Sequence, residues 1–144
     1  MTFQLRLDIA ASPATVFAFV SDFTTTPEWY SAVHRVDCIA GTGGLGTRYE
    51  VHRQLPGGSA HNEVEITGYE SGREVTFSSI SGPTPFAYRY IVEPRDAATR
   101  LTLEGTIGAA GLTGPAALLG PVAERFFKRG MRANLDVLAR ILER

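Results

Sequence analysis

Three groups of residues in this chain have the types and spacing that chemistry uses. Gly41-Thr42-Gly43-Gly44-Leu45-Gly46 fits G-x-G-x-x-G, the run that cradles a pyrophosphate when it opens a helix. Here Thr47-Arg48-Tyr49-Glu50-Val51 follows, with the alternation of a strand, so the glycines read as a hairpin connection and not as a nucleotide loop. His52 and His61, with Glu50 and Glu63 beside them, are donor types for a divalent metal. On the solvated face of a sheet they would lack the supporting hydrogen bonds that orient metal ligands, so neither a metal nor a cofactor is expected. His34 has no context of base and nucleophile. The third group is Arg53, Asn62 and the tyrosines 49, 88 and 90, polar groups placed on strand faces that are otherwise apolar.

The elements that position these groups follow from periodicity. Phe3, Leu5, Leu7 and Ile9 alternate with polar residues as in a half-buried strand. Ser12-Pro13 then starts a helix over 13–20 that presents Val16, Phe17 and Val20. A second short helical turn begins at Asp22 and runs through Pro27-Glu28-Trp29-Tyr30. The clearest hairpin joins 47–55 to 59–69. If Leu55 opposes Gly58, then Tyr49 faces Val64, Val51 faces Asn62 and His52 faces His61. That register puts Tyr49, Val51, Arg53, Asn62, Val64 and Ile66 on one face, and Glu50, His52, His61, Glu63 and Glu65 on the wet one. Val75, Phe77 and Ser79, then Phe86, Tyr88, Tyr90 and Val92, then Leu101, Leu103, Gly105 and Ile107 continue the strands. Residues 108–121 read as a loop or broken helix. The closing helix, 121–144, carries Phe126, Phe127, Met131, Leu135, Leu138 and Leu142 on one stripe over roughly 35 Å. The stripe must bury on the inner face of an antiparallel sheet, so the fold class is α+β, with one domain over residues 1–144.

The 144 residues are 44 % hydrophobic and 20 % charged, with a formal net charge of −1. That balance gives no electrostatic reason to expect nucleic acid or an anionic membrane as a partner. No apolar run approaches the ~20 residues of a bilayer span, and the N-terminus lacks a signal-peptide pattern. The lone Cys38 reads as a small buried hydrophobe. A cytoplasmic monomer or homodimer is expected.

The interior decides function. Arg53 on the apolar face must either sit at the strand end and snorkel to water, or serve a wet, polar interior. Asn134 poses the same question on the helix stripe, with a ligand group or a backbone carbonyl as its partner. Inward tyrosines need partners for their hydroxyls, which suits a cavity with a few polar anchors better than a solid core. The candidate ligand-contacting residues are Trp29, Tyr49, Val51, Arg53, Asn62, Val64, Phe77, Phe86, Tyr88, Tyr90, Leu103, Phe126, Phe127, Met131 and Asn134.

Ile9-Ala10-Ala11-Ser12-Pro13-Ala14-Thr15-Val16-Phe17, the following Pro27-Glu28-Trp29, the turn Gly44-Leu45-Gly46-Thr47-Arg48-Tyr49 and the terminal helix together resemble the START-like (SRPBCC) superfamily. Its bacterial polyketide cyclase/dehydrase and lipid-transport-like branch is the most similar. The resemblance implies a helix-grip fold: about seven curved antiparallel strands wrapped around the C-terminal helix, two short helices between strands 1 and 2, and an internal cavity. It implies a carrier or sensor of a small hydrophobic molecule such as a lipid, polyketide, quinone or sterol-like compound. The alternative is a cyclase or dehydratase using the same pocket, with Arg53 stabilising an enolate and Tyr88 or Tyr90 moving a proton. A weaker reading is a protein-interaction module on the outer sheet or helix.

Overall fold

The computed structural model describes residues 1–55, 58–108 and 121–144. Strand β1 (Thr2–Ile9) leads into helix α1 (Pro13–Val20) and a 3₁₀ turn, Phe23–Glu28. Strands β2 (Val33–Ala40), β3 (Arg48–Leu55), β4 (Gly58–Glu70), β5 (Glu74–Ser81), β6 (Phe86–Arg95) and β7 (Ala98–Ile107) follow, then helix α2 (Pro121–Leu142). The seven strands form one antiparallel sheet in the order β1-β7-β6-β5-β4-β3-β2. The expected segment 108–121 lies almost wholly outside the described residues.

Local chemistry explains the corner between β1 and β2. Ser12 caps α1, its hydroxyl accepting from the Thr15 backbone N–H at 3.2 Å, and Pro13 occupies the first turn. Val16, Phe17 and Val20 are buried, as the spacing predicts. Asp22 then caps the 3₁₀ turn, accepting from the Thr24 N–H at 3.0 Å and its hydroxyl at 2.6 Å. Trp29 ends that turn and is buried.

The β3–β4 register is the expected one, with Tyr49 opposite Val64, Val51 opposite Asn62 and His52 opposite His61. The six-residue glycine motif is the β2–β3 connection. Gly41 there has φ +87°, and a Cβ on it would stand 2.9 Å from the Thr47 Cα, so only glycine fits. Strand β2 carries no clean alternation. It is an edge strand whose register slips between Val33 and Arg35 and between Cys38 and Ala40, and such bulges break the period of two. That also corrects the reading of Cys38, which is exposed: its edge position is left open.

Between sheet and helix lies a core of side chains with no accessible surface, including Ile9, Val64, Ile66, Val75, Leu101 and Leu103 from the strands and Leu135 and Leu138 from α2. Gly105 leaves room for the Phe3 ring, which a Cβ at 105 would meet. Phe3 in turn packs edge-on to Tyr88 at 5.9 Å and to Phe127 at 5.1 Å between centroids. Helix α2 is tied down by two polar contacts to the β1 side. Arg132 donates to the Arg6 carbonyl at 2.7 Å, and the Glu143 carboxylate accepts from the Ala10 N–H at 2.8 Å.

Candidate functional site

A small void of about 20 Å³ lies inside the sheet, lined by Phe23, Thr26, Tyr30, Val33, Val51, Arg53, Phe86, Tyr88 and Tyr90. Space of that order holds about one water molecule. The roomy cavity expected from the tyrosines is therefore not enclosed by these residues. The aromatic rings fill it: Phe23 meets Phe77 at 4.5 Å, Phe86 meets Tyr88 at 4.8 Å, and Tyr90 stands 6.1 Å from Phe77 and 6.4 Å from Trp29.

The polar groups around this void come from three places. Strand β3 turns Arg53 inward because Tyr49 and Val51 share its face. Strand β6 supplies Tyr88 and Tyr90 at the same parity, and the corner after the 3₁₀ turn supplies Tyr30. The Tyr30 and Tyr88 hydroxyls are 3.3 Å apart and share one hydrogen bond. Arg53 does not stand free. It is half-buried, and its Nη2 donates to the Pro83 carbonyl and the Thr84 hydroxyl, both at 2.8 Å. Its Nε is buried and has no hydrogen-bond partner among the described residues. None of the ion pairs among those residues includes it, whereas Arg35, Arg48, Arg73, Arg89 and Arg100 on the surface all meet carboxylates.

Burial sets the protonation of these groups. It raises the Tyr30 phenol above its ordinary value, against the hydrogen bond to Tyr88 and the nearby Arg53 charge, which pull the other way. Burial pushes Tyr88 well up, with Tyr30 adding to the effect, and it raises Tyr90 strongly too. Desolvation lowers Arg53 from the usual guanidinium value. At neutral pH the void is thus faced by neutral phenol donors beside a cation.

Asn62 holds the adjoining β5–β6 loop. Fully buried, it donates through Nδ2 to the Ser81 carbonyl at 3.0 Å and the Pro83 carbonyl at 2.8 Å, leaving Oδ1 without a partner among the described residues. The same loop contains Thr84 at φ +53°, an uncommon conformation for a threonine. Arg53 and Asn62 converge on Pro83, so both act on the loop as well as on the interior.

The other candidates lie outside this polar group. Val64, Phe77, Leu103 and Met131 are buried core, and Phe127 is half-buried against Phe3. Trp29 is buried beside Tyr30 and Tyr90, with its indole N–H unpartnered among the described residues. Tyr49 shares the inward face but stands outside the void's lining, its ring 5.7 Å from Phe23 and 6.3 Å from Phe77 and bordering the glycine connection, and burial, with Asp22 and Cys38 nearby, pushes its phenol up to about 12. Asn134 accepts from the Ser31 N–H at 3.3 Å, so its oxygen meets a backbone donor at the corner after the 3₁₀ turn. Phe126 is a correction: it is 67 % exposed, because the helical stripe turns away from the sheet one residue before Phe127.

Sequence reasoning left Tyr30, Phe23, Thr26 and Val33 out of the candidate set. The Trp29-Tyr30 pair was a visible signal, but which ring a 3₁₀ corner turns inward depends on its capping and cannot be read from spacing. On the outer face His52 lies 3.3 Å from Glu50 and 3.7 Å from Asp37, and its ring centroid is 6.0 Å from that of His61. No group of metal-ligating side chains among the described residues is arranged to hold an ion.

A curved seven-stranded antiparallel sheet closed by a C-terminal helix is the START-like, helix-grip fold. The chain belongs to the polyketide cyclase/dehydrase and lipid transport family, whose profile matches residues 1–143. It is similar in structure to a START superfamily protein from Mycobacterium smegmatis, with a TM-score of 0.81 at 16 % identity, covering 99 % of this chain and 97 % of that one. It is also similar to the Zhui aromatase/cyclase from Streptomyces sp. R1128, with a TM-score of 0.74 at 16 % identity over 100 % and 94 % of the two chains. Ginseng major latex-like protein 151 from Panax ginseng matches with a TM-score of 0.73 at 12 % identity over 99 % and 97 %. Identities this low show the shared fold alone. No curated protein matches the sequence. No helix among the described residues is long and apolar enough to cross a membrane.

Proposed function

We propose that this protein binds a small, largely apolar molecule between the sheet and α2, as a carrier or sensor. The observation that carries the reading is the polar group Tyr30–Arg53–Tyr88 set into an otherwise aromatic and aliphatic interior. Such a group destabilises a core unless it has something to hold. The void lined by these described residues, about 20 Å³, takes only a small polar end of such a molecule, so its apolar body would need room beyond them. The second half of α2 is held by Leu135, Leu138 and the Glu143 contact, while Phe126, Arg129 and Gly130 nearer its start are exposed. The start of α2 is therefore the part we assign to admission. Burying the ligand's apolar surface at ~25 cal/mol per Å² would supply most of the affinity.

Catalysis of the cyclase or dehydratase kind is the second reading, and Arg53 beside two phenols favours it. The same phenols count against it, because burial holds Tyr30 and Tyr88 above their ordinary range and makes them poor proton-transfer groups at neutral pH. The test is native mass spectrometry of freshly purified protein, followed by extraction and re-incubation of what dissociates. A molecule recovered unchanged supports the carrier; one recovered altered supports the enzyme. Protein that releases nothing, and takes up none of a panel of hydrophobic probes, overturns both.

A further inference from the structure

Arg53 is the one positive group among the described residues around the void, half-buried, and everything that faces it there is neutral. Its partners are a carbonyl and a hydroxyl on the β5–β6 loop, both served by Nη2. The Nε–H is left without an acceptor among the described residues. Tyr30 and Tyr88 bring two phenol hydrogens to a single shared contact, so one of them remains to donate elsewhere. The void they enclose with Thr26 and Tyr90 is rich in donors and has the volume of one or two oxygen atoms. A hole so built favours an acceptor carrying negative charge. An alcohol would leave the guanidinium uncompensated, and an ammonium would repel it.

We infer that the molecule bound here carries a carboxylate head, seated against Arg53 with the Tyr30 and Tyr88 hydroxyls as further donors. The inference rests on the pocket reading above and names its ligand class: an apolar body with one acidic head. The apolar body lies toward Phe86 and Val51, and the head replaces no existing ion pair. Arg53 is already positioned by Pro83 and Thr84, which limits the ordering cost of capturing the head.

The test is a calorimetric titration with matched probes: dodecanoate, dodecanol and dodecylamine, and 2-naphthoate with 2-naphthalenemethanol. At neutral pH each acid should bind at least tenfold tighter than its alcohol, and the amine weakest of the alkyl series. In Arg53→Met the preference for the acids should collapse while the alcohols bind as before. Arg53→Lys should keep part of it, and Tyr88→Phe should lower it only severalfold. Thermal melts confirm that each variant is folded, and Arg53→Gln replaces Arg53→Met if the latter is not. Equal binding of acid and alcohol to the unaltered protein overturns the acidic head and leaves the pocket standing. An acid preference that survives in both Arg53→Met and Arg53→Gln overturns the seat. Binding of none of the probes overturns the pocket reading and this inference with it.

Discussion

Around Leu101, Leu103, Leu135 and Leu138 the space under α2 is filled by aliphatic side chains with no accessible surface. Around Arg53 the same sheet presents phenols, an amide and a guanidinium, and three buried polar atoms in that neighbourhood and beside it lack partners among the described residues: Trp29 Nε1, Arg53 Nε and Asn62 Oδ1. The first region returns stability for every group it buries. The second costs free energy in the unliganded protein, since a buried polar atom with no partner forfeits its hydration. One interior is thus divided into a part that holds the fold and a part that holds something else. The β5–β6 loop lies at the border, fastened by Arg53 and Asn62 but carrying a threonine at positive φ.

Truncation should show the division most clearly. Leu135→Ala removes a fully buried side chain that α2 sets into the sheet, and should cost ~2–5 kcal/mol. A fall in Tm on the order of 10 °C in a calorimetric scan is the expected result. A loss of only a degree or two would mean that the aliphatic region is as loosely specified as the polar one. Asn62→Ala tests the border. It frees the Ser81 and Pro83 carbonyls and should cost about 1–3 kcal/mol, with hydrogen exchange rising in residues 81–86 before anywhere else in the sheet.

The difference between the regions also governs what could be seen in the sequence. Alternation located β1 and the strands from β3 onward, and one turn assumption gave the β3–β4 register residue for residue. Those signals come from backbone geometry that repeats along the chain. Edge strand β2 escaped because bulges interrupt its period, and Cys38 was misplaced for the same reason. In the candidate site, Arg53, Tyr88 and Tyr90 were legible because strand parity alone aims them inward. Tyr30 was not named as a contact, since a capped 3₁₀ corner has no such parity to aim its hydroxyl. Nor could periodicity show that rings from Phe23, Phe77 and Phe86 leave only about 20 Å³ beside Arg53 among the described residues, as that depends on rotamers in contact. Phe126 fell on the wrong side for a narrower reason: a helical stripe has edges, and adjacent residues sit ~100° apart around it.

The polar region should also betray itself at high pH. Burial raises Tyr30, Tyr88 and Tyr90 in the folded protein, while the unfolded chain releases the same protons near pH 10. The folded state therefore binds more protons than the unfolded state above that value. The stability they contribute is fully present below about pH 10 and is lost as pH rises beyond it. Tm should hold level to about pH 10 and then fall, with tyrosinate absorbance appearing only as the protein unfolds. Tyr88→Phe should make the fall shallower. Tyrosinate forming in the folded protein near pH 10 would show these phenols to be hydrated, and the region open.

The smallest expected effect on stability is the one that separates the two regions most sharply. Arg53→Met deletes two hydrogen bonds to the β5–β6 loop, a loss that favours the unfolded chain. It also removes a buried Nε–H with no acceptor and a partly desolvated charge with no counter-ion among the described residues, and both removals favour the folded protein. Replacing a buried charged group by an apolar one of similar length is often neutral or stabilising, so the net change should lie within about 1 kcal/mol of zero. Denaturant unfolding measures it directly. Near-neutral stability combined with a lost preference for acidic ligands would mean that Arg53 serves the guest and not the fold. A loss comparable to that of Leu135→Ala would mean the reverse: the guanidinium is then a structural clasp for Pro83 and Thr84, and the polar region belongs to the architecture after all.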